Sequence, residues 1–255
     1  MNCEMIRPAV KVLIVYICVR ENPLLVSHAG HFVDSYRCHP PGYEHRLVVV
    51  CNGGALSMHN RAIFNPIPHY MLHRPNDLGW DISTYMEMAD TFLDYDLQVC
   101  LGESVYFNRE GWLRRTVECY QQYGPGMYGY FSSFLVRPHL NTTAFAVSPK
   151  YLSEYQPSPR DQKGRYDFEH GPDALWRRVA ADGGQARLVT WDGCWEPRDW
   201  RTPDNILWRG TQENCLMRCN HLDKFDAASP LTKQRWSVNA DTWSNKPHLM
   251  LQVTQ

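Results

Sequence analysis

Three short runs of almost uninterrupted apolar residues, Lys11 to Val19 (KVLIVYICV), His45 to Cys51 (HRLVVVC) and Leu97 to Leu101 (LQVCL), constrain this chain more than any other feature. A strand with one wet face alternates apolar and polar residues, whereas a strand apolar throughout is buried on both faces, as in a parallel sheet covered by helices. The intervening segments supply those helices. Glu21-Asn22-Pro23 opens a helical stretch to about Tyr36, Ile82 to Leu93 has apolar residues at helical spacing with Asp81 placed as its N-cap, and Glu110 to Tyr123 reads as a third helix. With a shorter strand at His69 to His73, four strands and their helical crossovers predict βαβ units.

The second half has a weaker pattern. Met127 to Phe131 and Thr142 to Val147 read as strands, Pro157 to Gly164 as a Pro- and charge-rich loop, Asp173 to Ala181 as a helix and Arg187 to Trp191 as a strand. From Asp192 onward the chain reads as irregular, aromatic and Arg-rich, with 241–255 as a tail. The expected fold class is α/β, a mostly parallel, Rossmann-like sheet flanked by helices, in a single domain over 1–240.

Composition removes several function classes. Lys+Arg at 26 against Asp+Glu at 27 leaves a formal charge of -1, without the basic footprint of a nucleic-acid partner. Nine cysteines occur without a CxxC pair and read as buried thiols of a reducing compartment; Cys215, Cys219 and His221 lack the second pair a zinc module needs. The longest apolar run is far short of the roughly 20 residues that span a bilayer, and MNCEMIRPAV lacks a signal-peptide layout. A cytoplasmic protein is expected, with peripheral attachment to a membrane and the oligomeric state left open.

In an open parallel sheet, ligands bind beyond the carboxyl ends of the strands. The residues there are Arg20, Glu21 and Asn22 after the first strand, Asn52 and Gly53 after the second, Asn76, Asp77, Gly79 and Asp81 after the third, and Glu103 and Ser104 after the fourth. Carboxylates at those positions accept from ribose hydroxyls or a base, and arginines suit a diphosphate. GxGxxG and GxxxxGK[ST] are both missing, so neither a dinucleotide dehydrogenase nor a P-loop NTPase is indicated. Asp94 and Asp96 form a literal D-x-D but precede their strand, on the wrong edge.

The order of these features, with Asn76-Asp77-Leu78-Gly79-Trp80-Asp81 before a helix, a buried strand and the turn Gly102-Glu103-Ser104, resembles the GT-A glycosyltransferases, closest to the bacterial rhamnan and capsular-polysaccharide type. The segments TTAFAVSPKYL and YDFEHGPDALWRRVAADGGQARLV extend the resemblance to about residues 10 to 220. It implies a nucleotide-sugar donor half over about 10–123, an acceptor and catalytic half over about 124–225, and transfer to a glycan or lipid-linked hydroxyl, inverting, in cell-surface polysaccharide synthesis. Glu169 is implied as catalytic base with Asp192 as runner-up, and Thr142, Thr143, His170 and Trp191 are implied on the acceptor side.

The family's D-x-D, which holds a divalent cation against the diphosphate, is reduced here to Gly102-Glu103-Ser104. Two alternatives follow. Glu103, with His221 as a second ligand, holds Mg²⁺ or Mn²⁺, or Arg209 and Arg201 neutralise the diphosphate instead. His59, His69, His73 and His139 show no ligand spacing and read as surface or satisfied core residues. Rival functions are a nucleotidyltransferase, disfavoured by VRENPLL after the first strand, and a non-catalytic nucleotide- or glycan-binding relative with a degenerate metal site.

Overall fold

The computed structural model describes residues 9–75, 79–135, 137–202 and 208–242. All of β1 (Val12–Val19) but its last residue is buried; α1 (Leu25–Cys38), β2 (Arg46–Asn52), α2 (Met58–Ala62), β3 (Tyr70–His73), α3 (Trp80–Thr91), β4 (Leu97–Leu101) and α4 (Trp112–Tyr123) follow it. The second half contains β5 (Gly126–Gly129), β6 (Ser132–Ser133), β7 (His139–Leu140), β8 (Ala144–Val147), α5 (Pro149–Ser153), α6 (Gln162–His170), α7 (Leu175–Ala181), β9 (Gln185–Val189), β10 (Cys194–Trp195), α8 (Asn220–Ala227) and α9 (Pro230–Thr242).

Among the described residues, eight strands form one sheet in the order β10-β9-β5-β8-β4-β1-β2-β3, and β6 pairs with β7 in a separate antiparallel ribbon. The block β3-β2-β1-β4 is parallel, as its apolar runs require, and β5 pairs with β9 in parallel. The sheet is the expected α/β one, mostly parallel and flanked by helices, with β8 running antiparallel between β4 and β5 and β10 antiparallel to β9. Alternate residues of β1 enter two cores. Val12, Ile14, Tyr16 and Cys18 pack with α1, α4 and the start of α8, whereas Leu13, Val15 and Ile17 pack with α3, α5, α6 and α7. Because both faces of these strands are covered, polar residues gather at the strand ends, and the loops after β1 and β4 become the chemically varied surface.

Several local expectations are corrected. The N-cap of α3 is Gly79 in the left-handed conformation; Asp81 is the second helical residue, where its carboxylate accepts from the first-turn Ile82 N–H instead. The expected loop 157–164 contains the start of α6, capped by Asp161, whose carboxylate accepts from Gly164 N–H at 2.7 Å. Glu169 therefore sits in the last turn of α6 and precedes α7, with residues 171–174 between the two helices. Irregular chain was expected after Asp192, yet α8 and α9 form there; of the expected tail, 243–255 lies outside the described residues. Cys38 is exposed, whereas Cys18, Cys51, Cys100, Cys119, Cys215 and Cys219 are buried.

Candidate active site

A cavity of about 280 Å³ opens where the carboxyl ends of β1 and β4 meet the start of α3, near the lower end of the range for small-molecule sites of roughly 300 to 1,000 Å³. Asn22 and His28 come from the β1 side, Trp80 and Asp81 from α3, Glu103 and Ser104 from the turn after β4, Thr143 from the chain before β8, Arg165 from α6, and Asn220 and His221 from α8. Larger depressions, of about 560 Å³ beside β3 and about 630 Å³ at the amino-terminal edge of β1 and β2, lie away from this meeting of strand ends. Asp96 belongs to that amino-terminal edge, where its carboxylate accepts from Lys11 N–H at 2.8 Å, as its place in the sequence predicts.

Glu103 is fixed by the protein itself. Its Oε1 accepts from Val19 N–H at 3.1 Å, its Oε2 accepts from the Asn22 side-chain amide, and His28 Nδ1 stands 4.0 Å from Oε2. His221 lines the same cavity, and its pKa is pushed down by burial and then by Lys224. The pair fits Mg²⁺ or Mn²⁺ poorly: it offers one carboxylate and one imidazole where these hard cations prefer several oxygen ligands. No step is therefore routed through a cation at Glu103.

Asp81 is half-buried and faces Arg165, with Oδ2 3.2 Å from the guanidinium and Oδ1 accepting from Ile82 N–H at 3.1 Å. Burial raises its carboxyl pKa; Arg165 opposes the rise, and Glu169 adds to it. Arg165 is 43% exposed, so its remaining donors are open to a ligand. Trp80, half-buried between Gly79 and Asp81, has φ 49, a conformation that bulky residues rarely adopt and that concentrates at binding sites.

Beside this cavity, the chain before β8 carries a second polar cluster. Thr143 lines the cavity, and Thr142 donates from Oγ1 to Glu169 Oε2 at 2.8 Å. Asn141 Nδ2 donates to Glu169 Oε1 at 2.8 Å, His139 Nε2 lies 3.2 Å from the same oxygen, and a His170 ring nitrogen lies 3.9 Å from it. Burial works to raise the Glu169 carboxyl, but the hydrogen bond and charge of His139, the charge of His170 and the Thr142 hydroxyl outweigh it and hold the pKa at about 2. Burial, followed by His139, pushes His170 down to about 4, so His170 is uncharged near neutrality. The low value at Glu169 is owed first to the hydrogen bond and charge of His139, then to His170, which is charged at the low pH where Glu169 titrates, and last to the Thr142 hydroxyl.

The other expected positions lie apart. Asn52 is buried and serves the fold: Nδ2 donates to the Trp80 carbonyl at 3.2 Å and Oδ1 accepts from Thr84 Oγ1 at 3.0 Å, which ties the end of β2 to α3. Arg20 is exposed beside Glu21, and Gly53 follows Asn52 with φ 86; neither lines the cavity. Asp192 accepts from Thr190 Oγ1 at 2.6 Å and Asn214 Nδ2 at 2.5 Å, and Trp191 donates from Nε1 to the Cys215 carbonyl at 3.0 Å under Arg109. Arg209 donates to the Arg201 carbonyl at 3.0 Å, and Arg201 stacks over Phe134. These four also lie outside the cavity lining, and Asn76 and Asp77 fall outside the described residues.

Two residues that matter here were missed in the sequence. Arg165 falls between the expected loop 157–164 and the acidic segment beginning at Tyr166 and received no role, and His139 reads as a surface or satisfied core histidine without ligand spacing. No local signal marks His139, because its contact with Glu169 arises only when the β6–β7 ribbon packs on α6. For Arg165 the capping pattern at Asp161 was available, since a helix starting there turns residue 165 toward the same side as residue 169.

No protein-family model and no curated protein matches this chain. Among solved structures it is similar to the galactosyltransferase LgtC in complex with donor and acceptor sugar analogues, with a TM-score of 0.44 at 14% identity over 62% of this chain and 71% of that one. A protein from Desulfovibrio desulfuricans G20 described as a nucleotide-diphospho-sugar transferase gives 0.43 at 12% identity over 94% and 97%. A cytidylyltransferase from Leptospira borgpetersenii gives 0.44 at 12% identity over 68% and 73%. At such overlap the matches carry no argument about this chain's activity. No helix among the described residues is long and apolar enough to cross a membrane.

Proposed function

We propose that the chain is a nucleotide-sugar-dependent glycosyltransferase whose donor binds in the cavity at the ends of β1 and β4. The observation that carries this reading is the meeting, in that one cavity, of Asp81 paired with Arg165, Glu103 and the half-buried ring of Trp80. Carboxylates accept from sugar or ribose hydroxyls, a guanidinium fork binds diphosphate oxygens, and an indole face stacks on a base or sugar. In the transfer step the acceptor oxygen bonds to the anomeric carbon as the carbon–oxygen bond to the diphosphate breaks. The leaving group is stabilised by Arg165, and the acceptor proton passes to the cluster around Glu169.

Glu169 at about 2 is a weak proton acceptor by itself, so acceptor activation falls to the cluster rather than to one carboxylate. Thr142 and Thr143 lie between donor cavity and cluster, where an acceptor hydroxyl would have to sit. The resemblance noted in the sequence supports a glycan or lipid-linked acceptor and the inverting outcome. A thermal-shift screen against UDP, GDP, dTDP and CMP sugars tests the reading, because a ligand at 100 times its Kd stabilises by about 2.7 kcal/mol. One nucleotide class should raise Tm, and the rise should vanish in Asp81→Asn; a flat response to all four would remove the donor site.

A further inference from the structure

We propose that His139, Glu169 and His170 form a three-ligand site for a divalent transition-metal ion of the zinc type. The ligand atoms of the three lie within 4.8 Å of one another, with Glu169 Oε1 3.2 Å from His139 and 3.9 Å from His170. Tetrahedral zinc with bonds of about 2.0 to 2.2 Å places its ligand atoms roughly 3.3 to 3.6 Å apart, so small side-chain adjustments close the triad on an ion. The two imidazole rings stand nearly perpendicular, centroids 4.1 Å apart, a disposition that presents two nitrogens to one point without ring overlap.

The surroundings match those of a ligand set. His139 Nδ1 donates to the Arg137 carbonyl at 2.8 Å, which orients the ring with Nε2 toward Glu169, where a metal ion would take the place of the Nε2 proton. Asn141 and Thr142 each donate to a Glu169 oxygen, orienting the carboxylate as outer-shell groups do. His170 is half-buried and held by ring contacts to His139 and Tyr166, which turn its Nε2 toward Glu169 and leave Nδ1 without a hydrogen-bond partner. Side-chain exposures of 3%, 12% and 16% for His139, Glu169 and His170 give a dry yet reachable site. Two imidazoles and one carboxylate suit zinc and its neighbours better than Mg²⁺, and three protein ligands leave a position for an oxygen ligand such as water or a hydroxyl. Its use in acceptor activation rests on the transferase reading; the existence of the site does not.

The test needs no sugar nucleotide. Full-length protein stripped with a chelator is titrated with Co²⁺, read by visible d–d absorption, and then with Zn²⁺, read by metal analysis after dialysis. One equivalent with an intense tetrahedral spectrum displaced by Zn²⁺ is expected, as is its loss in His139→Gln and His170→Gln. Thr142→Val should weaken the metal affinity about 10- to 100-fold, and Glu103→Gln and His221→Gln should leave it unchanged. Circular dichroism of each variant checks folding, and the wild-type spectrum stands without any variant. Absence of a Co²⁺ spectrum in the wild type, or its persistence in the folded histidine variants, overturns the site and leaves the donor cavity untouched. Metal binding with no nucleotide response in the thermal-shift screen would instead overturn the transferase reading alone.

Discussion

Replacing Gly79 by alanine tests the close approach that shapes the cavity wall. Gly79 has φ 74, and a Cβ there would stand 2.2 Å from Ser83 Oγ and 2.4 Å from the Pro159 carbonyl oxygen. The hydroxyl can rotate away, but the carbonyl is backbone and must retreat about 1 Å to reach ordinary contact at 3.4 Å. The left-handed conformation costs an alanine about 1 to 2 kcal/mol, and overpacking adds about 1 to 3. The expected loss is therefore about 2 to 5 kcal/mol.

Gly111 provides the control. It is the N-cap of α4 with φ 80, and an added Cβ meets nothing within 4 Å, so Gly111→Ala should lose only the conformational part, about 1 to 2 kcal/mol. Both substitutions restrict the unfolded chain alike, so that contribution cancels in the comparison. Urea denaturation with matched m-values measures the difference. Pro159 leads into α6, which carries Arg165 to Asp81, so Gly79→Ala should also weaken nucleotide binding while Gly111→Ala does not. Equal stability losses at the two positions would refute the tight contact.

Other substitutions separate binding from stability. Ionised Asp81 is penalised in the folded state because its pKa is raised there by burial. Asp81→Asn should therefore be at least as stable as the wild type at neutral pH, with a margin that grows as pH rises from about 4 through the raised folded value and disappears below it; pH-dependent urea midpoints read this out. Arg165→Met should change stability by less than about 1 kcal/mol, since the pair is partly exposed, yet weaken nucleoside-diphosphate binding about tenfold or more by calorimetry. Thr142→Val removes a hydrogen bond to a buried charged carboxylate and should cost about 1.5 to 3 kcal/mol; an unchanged denaturation midpoint would show that Thr142 does not hold Glu169.

The apolar runs made the parallel block legible because a strand buried on both faces cannot tolerate polar residues, and Leu97–Leu101 ends where the sequence predicts. The antiparallel insertion of β8 was not legible, since strand direction leaves no trace in the residues of AFAV. The helix α6 was hidden by Pro157 and Pro159 just before its start and by the mixed charges of its first turns. At the candidate site, Asp81, Glu103, Ser104 and His221 converge as their strand-end or terminal-segment positions suggested, because topology alone brings those positions together. Arg20, Arg209 and Trp191 do not, because each side chain finds a local partner first. The environment of Glu169 is set by His139, thirty residues away, and only packing could reveal it.

The most direct measurement of the central claim is release of nucleoside diphosphate from the sugar nucleotide that stabilises the protein, followed with and without a glycan or lipid-linked acceptor. Acceptor-dependent turnover is expected, lost in Glu169→Gln and Asp81→Asn while both proteins remain folded. Turnover unaffected by either substitution, or none with any of the four nucleotide classes, would contradict that claim.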